Sequence, residues 1–257
     1  MNAVKNILNV LVSVAGVLLV WLTLTTWTGI IEPNRFPNPM EFWVSLKQIA
    51  LQGYGNGKLH QHILQSVILV TTSFLVASTA GVTLGLLMGA SRRIEAFVNP
   101  VFLTLRPIPP LAWIPLAIVW LGLDNSAKVM VIFVAAFVPS VINSYAAVRS
   151  IETPILEASA MLGIRRWLFW KEVLIPASLP LIFTGLRLSL QASWTTLVAA
   201  ELIGALLGLG SILNQAAQDI YPAMILVGMF SVAVSGWLMT VLLGVIERRA
   251  MPWRASP

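Results

Sequence analysis

Long, nearly uncharged apolar runs limit what this chain can fold into. Six of them approach or exceed the roughly 20 residues that a membrane-spanning helix needs, at 7–29, 63–90, 100–121, 129–149, 177–206 and 222–246. The runs are continuous rather than alternating, which favours helices over a β-barrel. Charged residues make up 10% of the chain, against about 25% in soluble domains. The sequence therefore predicts an all-α integral membrane protein with about six transmembrane helices.

The first run follows Lys5 and is too long for a secretory signal, so we interpret it as a retained span. Orientation follows from basic residues in alternate loops. One side carries Lys5, Arg92, Arg93, Arg149, Arg165, Arg166, Lys171, Arg248, Arg249 and Arg254, whereas the other carries Arg35, Lys47, Lys58 and Lys128. Both termini are therefore expected in the cytoplasm.

We expect one transmembrane domain over 1–257. It comprises a first span with its outer loop (1–61), a core (62–246) that contains a cytoplasmic segment (150–176), and a tail (247–257). A short amphipathic helix is expected near Phe42 to Leu51 in the outer loop. Gly81, Gly85 and Gly89 recur every four residues, which predicts close packing against another helix.

Several kinds of site are disfavoured by the residues present. The chain has no cysteine, which excludes disulfides and thiolate chemistry. The "GYGNGKLH" stretch has the wrong spacing for a phosphate-binding loop and Leu59 where Ser or Thr is needed. His60 and His62 form an isolated pair that indicates a surface turn rather than a metal site. The net charge of +6 is distributed as in a membrane protein, so no nucleic-acid partner is expected.

Charges gather instead in "TPILEASAMLGIRRWLFWKEVLIP", residues 153–176. Thr153 and Pro154 favour a helix start, and Gly163 favours its end, which predicts a short helix over 154–162. A second short helix would place Trp167, Trp170 and Leu174 on one face. The segment could be a loop resting on lipid headgroups, but the pattern of the first helix favours docking in a protein groove.

The same segment resembles the cytoplasmic signature of ATP-binding-cassette (ABC) importer permeases. Glu157, Ala158, Gly163 and Pro176 match the signature at full spacing, whereas Ser159, Val173 and Ile175 depart mildly. The resemblance implies a type I permease fold whose coupling helices sit in a cleft of an ATPase subunit. The coupling residues that it implies are Thr153, Glu157, Ala158, Ser159, Leu162, Gly163 and Pro176.

Further stretches extend the resemblance over most of the chain beyond the first span. "RFPNPMEFW", "LRPIPPLAWIPLAIVWLGLDNSAK", "GLRLSLQASWTTLVAAELIG" and "ERRAMPW" resemble the taurine, aliphatic sulfonate and nitrate branch, and the taurine permeases most. The resemblance implies half of a symmetric dimer, two ATPase subunits that bind ATP and Mg²⁺, and one external substrate-binding protein. It implies no catalysis and no cofactor in this chain, and it implies a location in the bacterial inner membrane. Taurine or another sulfonate is the expected cargo, with nitrate, an aromatic carboxylate or another small organic anion as alternatives.

Charges inside the predicted spans mark candidates for the translocation pathway, because a buried ionisable group usually faces a partner or water. Arg187, Trp194 and Glu201 are spaced by seven in the fifth span, and Arg106, Trp113 and Trp120 show the same spacing in the third, although prolines disturb that helix. These faces could line the pathway. Alternatively, the arginines snorkel to the interface or tie helices together, and Glu201 pairs within the bundle.

Two rival functions need features that the sequence does not show. A secondary transporter would need a coupling-ion site and usually carries inverted repeats. A membrane-embedded enzyme would need a catalytic constellation of nucleophile, base or metal ligands. We therefore expect a permease that other subunits drive.

Overall fold

The computed structural model describes residues 2–28 and 35–253, with side chains from residue 12 onward. The side chain of Lys5, the end of the first predicted span and Arg254 lie outside this part. The described chain is almost wholly helical. Its α-helices are α1 (Asn2–Leu22), α2 (Pro39–Leu51), α3 (Leu59–Ala90), α4 (Arg92–Leu105), α5 (Ile114–Leu121), α6 (Asn125–Arg149), α7 (Thr153–Met161), α8 (Arg166–Leu168), α9 (Ile175–Leu202), α10 (Leu209–Gln218) and α11 (Pro222–Ala250).

The helices agree with most of the predicted spans. In the described residues, α3, α6, the continuous stretch Arg166–Leu202 and α11 are long and apolar enough to cross a membrane. The third predicted span is broken, because α4 and the stretch Pro110–Leu121 meet at 84°. Prolines at 107, 109, 110 and 115 remove backbone donors at this bend. The first predicted span falls on α1 and on the π-helical turn Thr23–Trp27 that follows it.

The chain divides into two compact units, the first of which comprises Met1–Leu64 and Leu206–Val232. Its helix α2 confirms the predicted amphipathic helix and begins with a capping box between Asn38 and Glu41. The Ser45 hydroxyl shares a 2.8 Å hydrogen bond with the Tyr221 hydroxyl. The Tyr54 hydroxyl donates to Asp219, and burial together with this bond raises the pKa of Tyr54 above its usual range.

The structure contradicts the surface turn that was predicted at His62. Helix α3 already begins at Leu59, so His62 lies in its first turn and is 1% exposed. Its Nδ1 lies 2.9 Å from the carbonyl oxygen of Gly208, and its Nε2 lies 3.2 Å from that of Tyr54. His62 thus joins the glycine-rich turn to the residue that precedes α10, a long-range contact that local sequence does not encode.

The second unit comprises Gln65–Ala205 and Ala233–Pro257. Here the glycines of α3 contact α6, which confirms the predicted close packing. A Cβ atom added to Gly85 would lie 2.6 Å from the Val141 carbonyl oxygen, and one added to Gly81 would lie 2.7 Å from the Ser140 Cβ. Helix α6 also packs on α9, where the hydroxyls of Ser140 and Ser189 are 2.8 Å apart. Small residues thus allow the backbones of α3 and α9 to approach the backbone of α6 closely.

The predicted second cytoplasmic helix is not a separate element. Residues 166–202 form one continuous helical stretch, in which Phe169–Leu174 adopt a wider π-helical turn before Pro176. Proline lacks an amide donor and crowds the carbonyl four residues earlier, and the wide turn accommodates it. The turn also breaks the predicted shared face, since Trp167 is 77% exposed whereas Leu174 is buried.

Candidate functional site

Helix α7 lies between α6 and α8 and carries most of the predicted coupling residues. Its N-cap position is Glu152, one residue earlier than predicted, and no side chain caps the helix. Thr153 and Pro154 instead occupy the first helical positions, where proline's missing amide costs nothing. Nine residues span only about 13 Å, which is too short to cross a membrane.

The predicted end of α7 at Gly163 is confirmed. Gly163 has a φ of 62°, in the left-handed region that favours glycine. Its amide donates to the Ala160 carbonyl, and the Ile164 amide donates to the Ser159 carbonyl. These two bonds form a Schellman motif, which turns the chain sharply out of the helix.

The surface of α7 is largely apolar and accessible. Met161 is 87% exposed and Leu162 is 76% exposed, while Glu157 and Ala158 also lie at the surface. Ser159 is the buried residue of the helix, and its hydroxyl donates to the Leu156 carbonyl. A compact helix with large exposed apolar side chains is suited to contact another surface.

The three α9 candidates each contact another helix of the second unit. Arg187 is half-exposed and forms an ion pair with Glu247 of α11. Trp194 is buried, and a Cβ atom added to Gly236 of α11 would lie 3.7 Å from its ring. Glu201 is fully buried and accepts a hydrogen bond from the Ser66 hydroxyl of α3, at 2.8 Å. These contacts agree with the alternative in which such residues pair within the helix bundle. Their role in a translocation pathway stays a prediction.

The structure does not place Arg106, Trp113 and Trp120 on one helical face. Helix α4 ends at Leu105, and Trp113 belongs to a short 3₁₀ turn beyond the bend. Trp120 is 61% exposed on α5. Arg106 and Trp113 nevertheless line one cavity of about 410 Å³ together with residues of α6. Proline broke the helical spacing on which the prediction relied, but the chain path brings two of the three residues together.

Two charged clusters were missed by the sequence reasoning. Glu95 of α4 accepts hydrogen bonds from Tyr145 and Arg149 of α6. Lys128, predicted in an outer loop, is buried near the start of α6, and its ammonium interacts electrostatically with Glu201. An acidic residue inside the basic stretch "SRRIEAF" was the one available signal for the first cluster.

Comparison with known proteins gives the family. The profile of the family described as "Binding-protein-dependent transport system inner membrane component" matches residues 81–252. The taurine transport system permease protein TauC of Escherichia coli is 34% identical over 95% of this chain and 89% of its own length. The putative aliphatic sulfonates transport permease protein SsuC of Bacillus subtilis is 31% identical over 94% of this chain and 88% of its own.

Two further comparisons agree with this family. The nitrate import permease protein NrtB of a Synechocystis species is 29% identical over 94% of this chain and 88% of its own. A solved structure of the MetNI methionine ABC transporter in inward-facing conformations shares the fold, with a TM-score of 0.65 and 21% identity over 75% of this chain and 95% of that chain. The chain belongs to the family of binding-protein-dependent transport system inner membrane components and is a permease subunit of an ABC importer with the type I fold.

Proposed function

We propose that this permease imports a small organic anion, with taurine or another sulfonate as the cargo. The observation that carries the proposal is the 34% identity to a taurine permease over 95% of the chain. The likeness to a sulfonate permease supports the same substrate class. Nitrate is the alternative cargo, because the chain is also similar to the nitrate permease NrtB.

The driving force comes from partner subunits that bind ATP and Mg²⁺. Two ATPase subunits, a second copy of this permease and one external substrate-binding protein complete the proposed importer. Helix α7 is the element that we assign to ATPase coupling, because it is short, exposed and closed by the turn at Gly163. Glu157, Ala158 and Leu162 would make the contact.

Within this assembly, ATP binding brings the ATPase subunits together and draws the two α7 helices with them. The permease then opens outward, and hydrolysis returns it to the inward-facing state. Both termini lie on the ATPase side in this arrangement. Ser159 and Pro176 help to fix the shape of this segment. The Ser159 hydroxyl donates to the Leu156 carbonyl, and Pro176 follows the wide turn.

Transport can be tested in vesicles that contain the permease, its ATPase and its binding protein. We expect ATP-dependent uptake of radiolabelled taurine or a short alkanesulfonate. Uptake of nitrate with no uptake of any sulfonate would contradict the substrate class. Uptake driven by an ion gradient without the ATPase would contradict the importer assignment and favour a secondary transporter.

The coupling role can be tested with single cysteines, because the chain has none of its own. Leu162→Cys should crosslink to a cysteine in the ATPase cleft, since Leu162 is exposed at the end of α7. Leu123→Cys is the matched control, because Leu123 is also exposed but follows the end of α5. Crosslinking of both positions, or of neither, would contradict the proposal.

A further inference from the structure

The cavity beside the bend after α4 has the composition of a small-molecule site. It lies within the second unit and measures about 410 Å³, inside the range of roughly 300–1,000 Å³ that is usual for ligand pockets. Apolar side chains make up nearly all of its wall, and four of them are aromatic. Those that carry the argument are Phe102, Trp113, Phe133 and Phe137, with Arg106 as the charged member.

Arg106 differs from Arg149 and Arg187, two arginines of the same unit that are paired. Arg149 is bound by Glu95, and Arg187 is bound by Glu247. Within the described residues, Arg106 has neither an ion pair nor a hydrogen bond through its side chain. A guanidinium group presents five fixed donors that match the oxygens of a carboxylate or sulfonate. Arg106 is exposed, so the cavity wall carries a positive charge that a ligand can reach and that the described chain does not pair.

Trp113 supplies a buried donor that is unsatisfied. Its Nε1 is buried and has no hydrogen-bond partner among the described residues. Buried donors in proteins are nearly always paired, so an orphaned one calls for an explanation. An acceptor oxygen on a bound molecule is the simplest group that would satisfy it.

We propose that this cavity binds a sulfonate that carries an apolar tail, with Arg106 at the sulfonate and the aromatic wall around the tail. The proposal rests on the proposed import of sulfonates and narrows their class. Taurine ends in an ammonium group, which the apolar wall cannot solvate. An alkyl or aryl tail gains from leaving water, so the permease itself discriminates among the anions delivered to it.

Binding can be measured on the full-length permease in complex with its ATPase, through the intrinsic tryptophan fluorescence. The probes are linear alkanesulfonates from methane- to hexanesulfonate, with taurine and hexanol as reference ligands. The affinity should rise about fourfold for each added methylene until the cavity is filled. Hexanesulfonate should also bind at least tenfold more tightly than hexanol or taurine.

Two matched pairs of variants test the residues. Arg106→Gln should weaken hexanesulfonate binding about tenfold and Arg106→Lys less, whereas Arg93→Gln, at an exposed arginine outside the cavity, should not. Phe137→Ala should remove most of the dependence on chain length, whereas Phe97→Ala, at a residue that is 85% exposed and outside the cavity, should leave it intact.

Other outcomes would overturn the cavity site while leaving the proposed function intact. Affinity that is independent of chain length, or equal in wild type and Arg106→Gln, would do so if ATP-driven uptake of a sulfonate persists. Displacement of hexanesulfonate by phosphatidylglycerol would show that the cavity holds a lipid instead. Conversely, tight binding of hexanesulfonate with no uptake of any sulfonate would leave the cavity site standing and refute the proposed transport.

Discussion

The hydroxyl of Ser66 donates a hydrogen bond to the carboxylate of Glu201, and both side chains are fully buried. The bond joins α3 to α9 inside the second unit. A buried carboxylate that loses a donor bears a desolvation cost of roughly 1–3 kcal/mol. This contact is therefore a structural tie between two spans.

Replacing Ser66 with alanine should accordingly lower the stability of the purified transporter by about 1–3 kcal/mol. Thermal unfolding in detergent would measure the loss. Thr79→Ala provides the control on the same helix, because the Thr79 hydroxyl is exposed and bonds to the carbonyl of Leu75 in its own helix. Equal melting temperatures for Ser66→Ala and wild type would show that the tie does not contribute.

The Arg187–Glu247 ion pair allows a test between a structural role and a pathway role for Arg187. Reversing either charge alone should reduce the amount of assembled transporter, while exchanging both residues should restore it. The coupling should be about 1 kcal/mol or less, because the Arg187 side chain is 52% exposed. Quantitative blots of the assembled complex and uptake assays should therefore agree. Restored assembly without restored uptake would instead place Arg187 in the pathway.

The turn at Gly163 should tolerate asparagine but not valine. Asparagine adopts left-handed backbone angles with little strain, whereas a β-branched side chain does not. Gly163→Val should therefore lose ATP-driven uptake while its amount in the membrane stays normal, and Gly163→Asn should retain most uptake. The same two substitutions at Gly16, which lies in α1 with open space around it, provide the control. Unimpaired uptake by Gly163→Val would contradict the need for this turn.

The contact between α3 and α6 should be sensitive to a single methyl group. Gly85→Ala would force a Cβ to within 2.6 Å of the Val141 carbonyl oxygen, which should cost about 1–3 kcal/mol of stability. Gly244→Ala is the matched control, because nothing lies within 4 Å of the position of its added Cβ. The melting temperatures of the two variants in detergent should therefore differ by several degrees. A normal melting temperature for Gly85→Ala would contradict the close packing.

The sequence predicted those features that depend on neighbouring residues. Apolar run length located the spans, and the local order of threonine, proline and glycine located α7 and its end at Gly163. Glycine spacing likewise indicated the packing face of α3. In each case the physical cause lies within a few residues of its effect.

Other features depend on residues far apart in the chain, and there the sequence was insufficient. Glu247 could not be paired with Arg187, nor Ser66 with Glu201, because no local pattern specifies which spans become neighbours. His62 was predicted at the surface for the same reason. The 84° bend showed that helical spacing loses its meaning once prolines end the helix.

The unbroken stretch Arg166–Leu202 has a mechanical consequence. At 1.5 Å per residue its 37 residues form a rod of roughly 55 Å, with Trp167 near one tip and Glu201 near the other. The wide turn at Phe169–Leu174 and the proline at 180 allow bending near the Trp167 tip, whereas the helix from Pro180 to Glu201 has no further proline and moves as one piece. A displacement that α7 passes through the wide turn is therefore carried along this part of the helix to Glu201, beside Ser66.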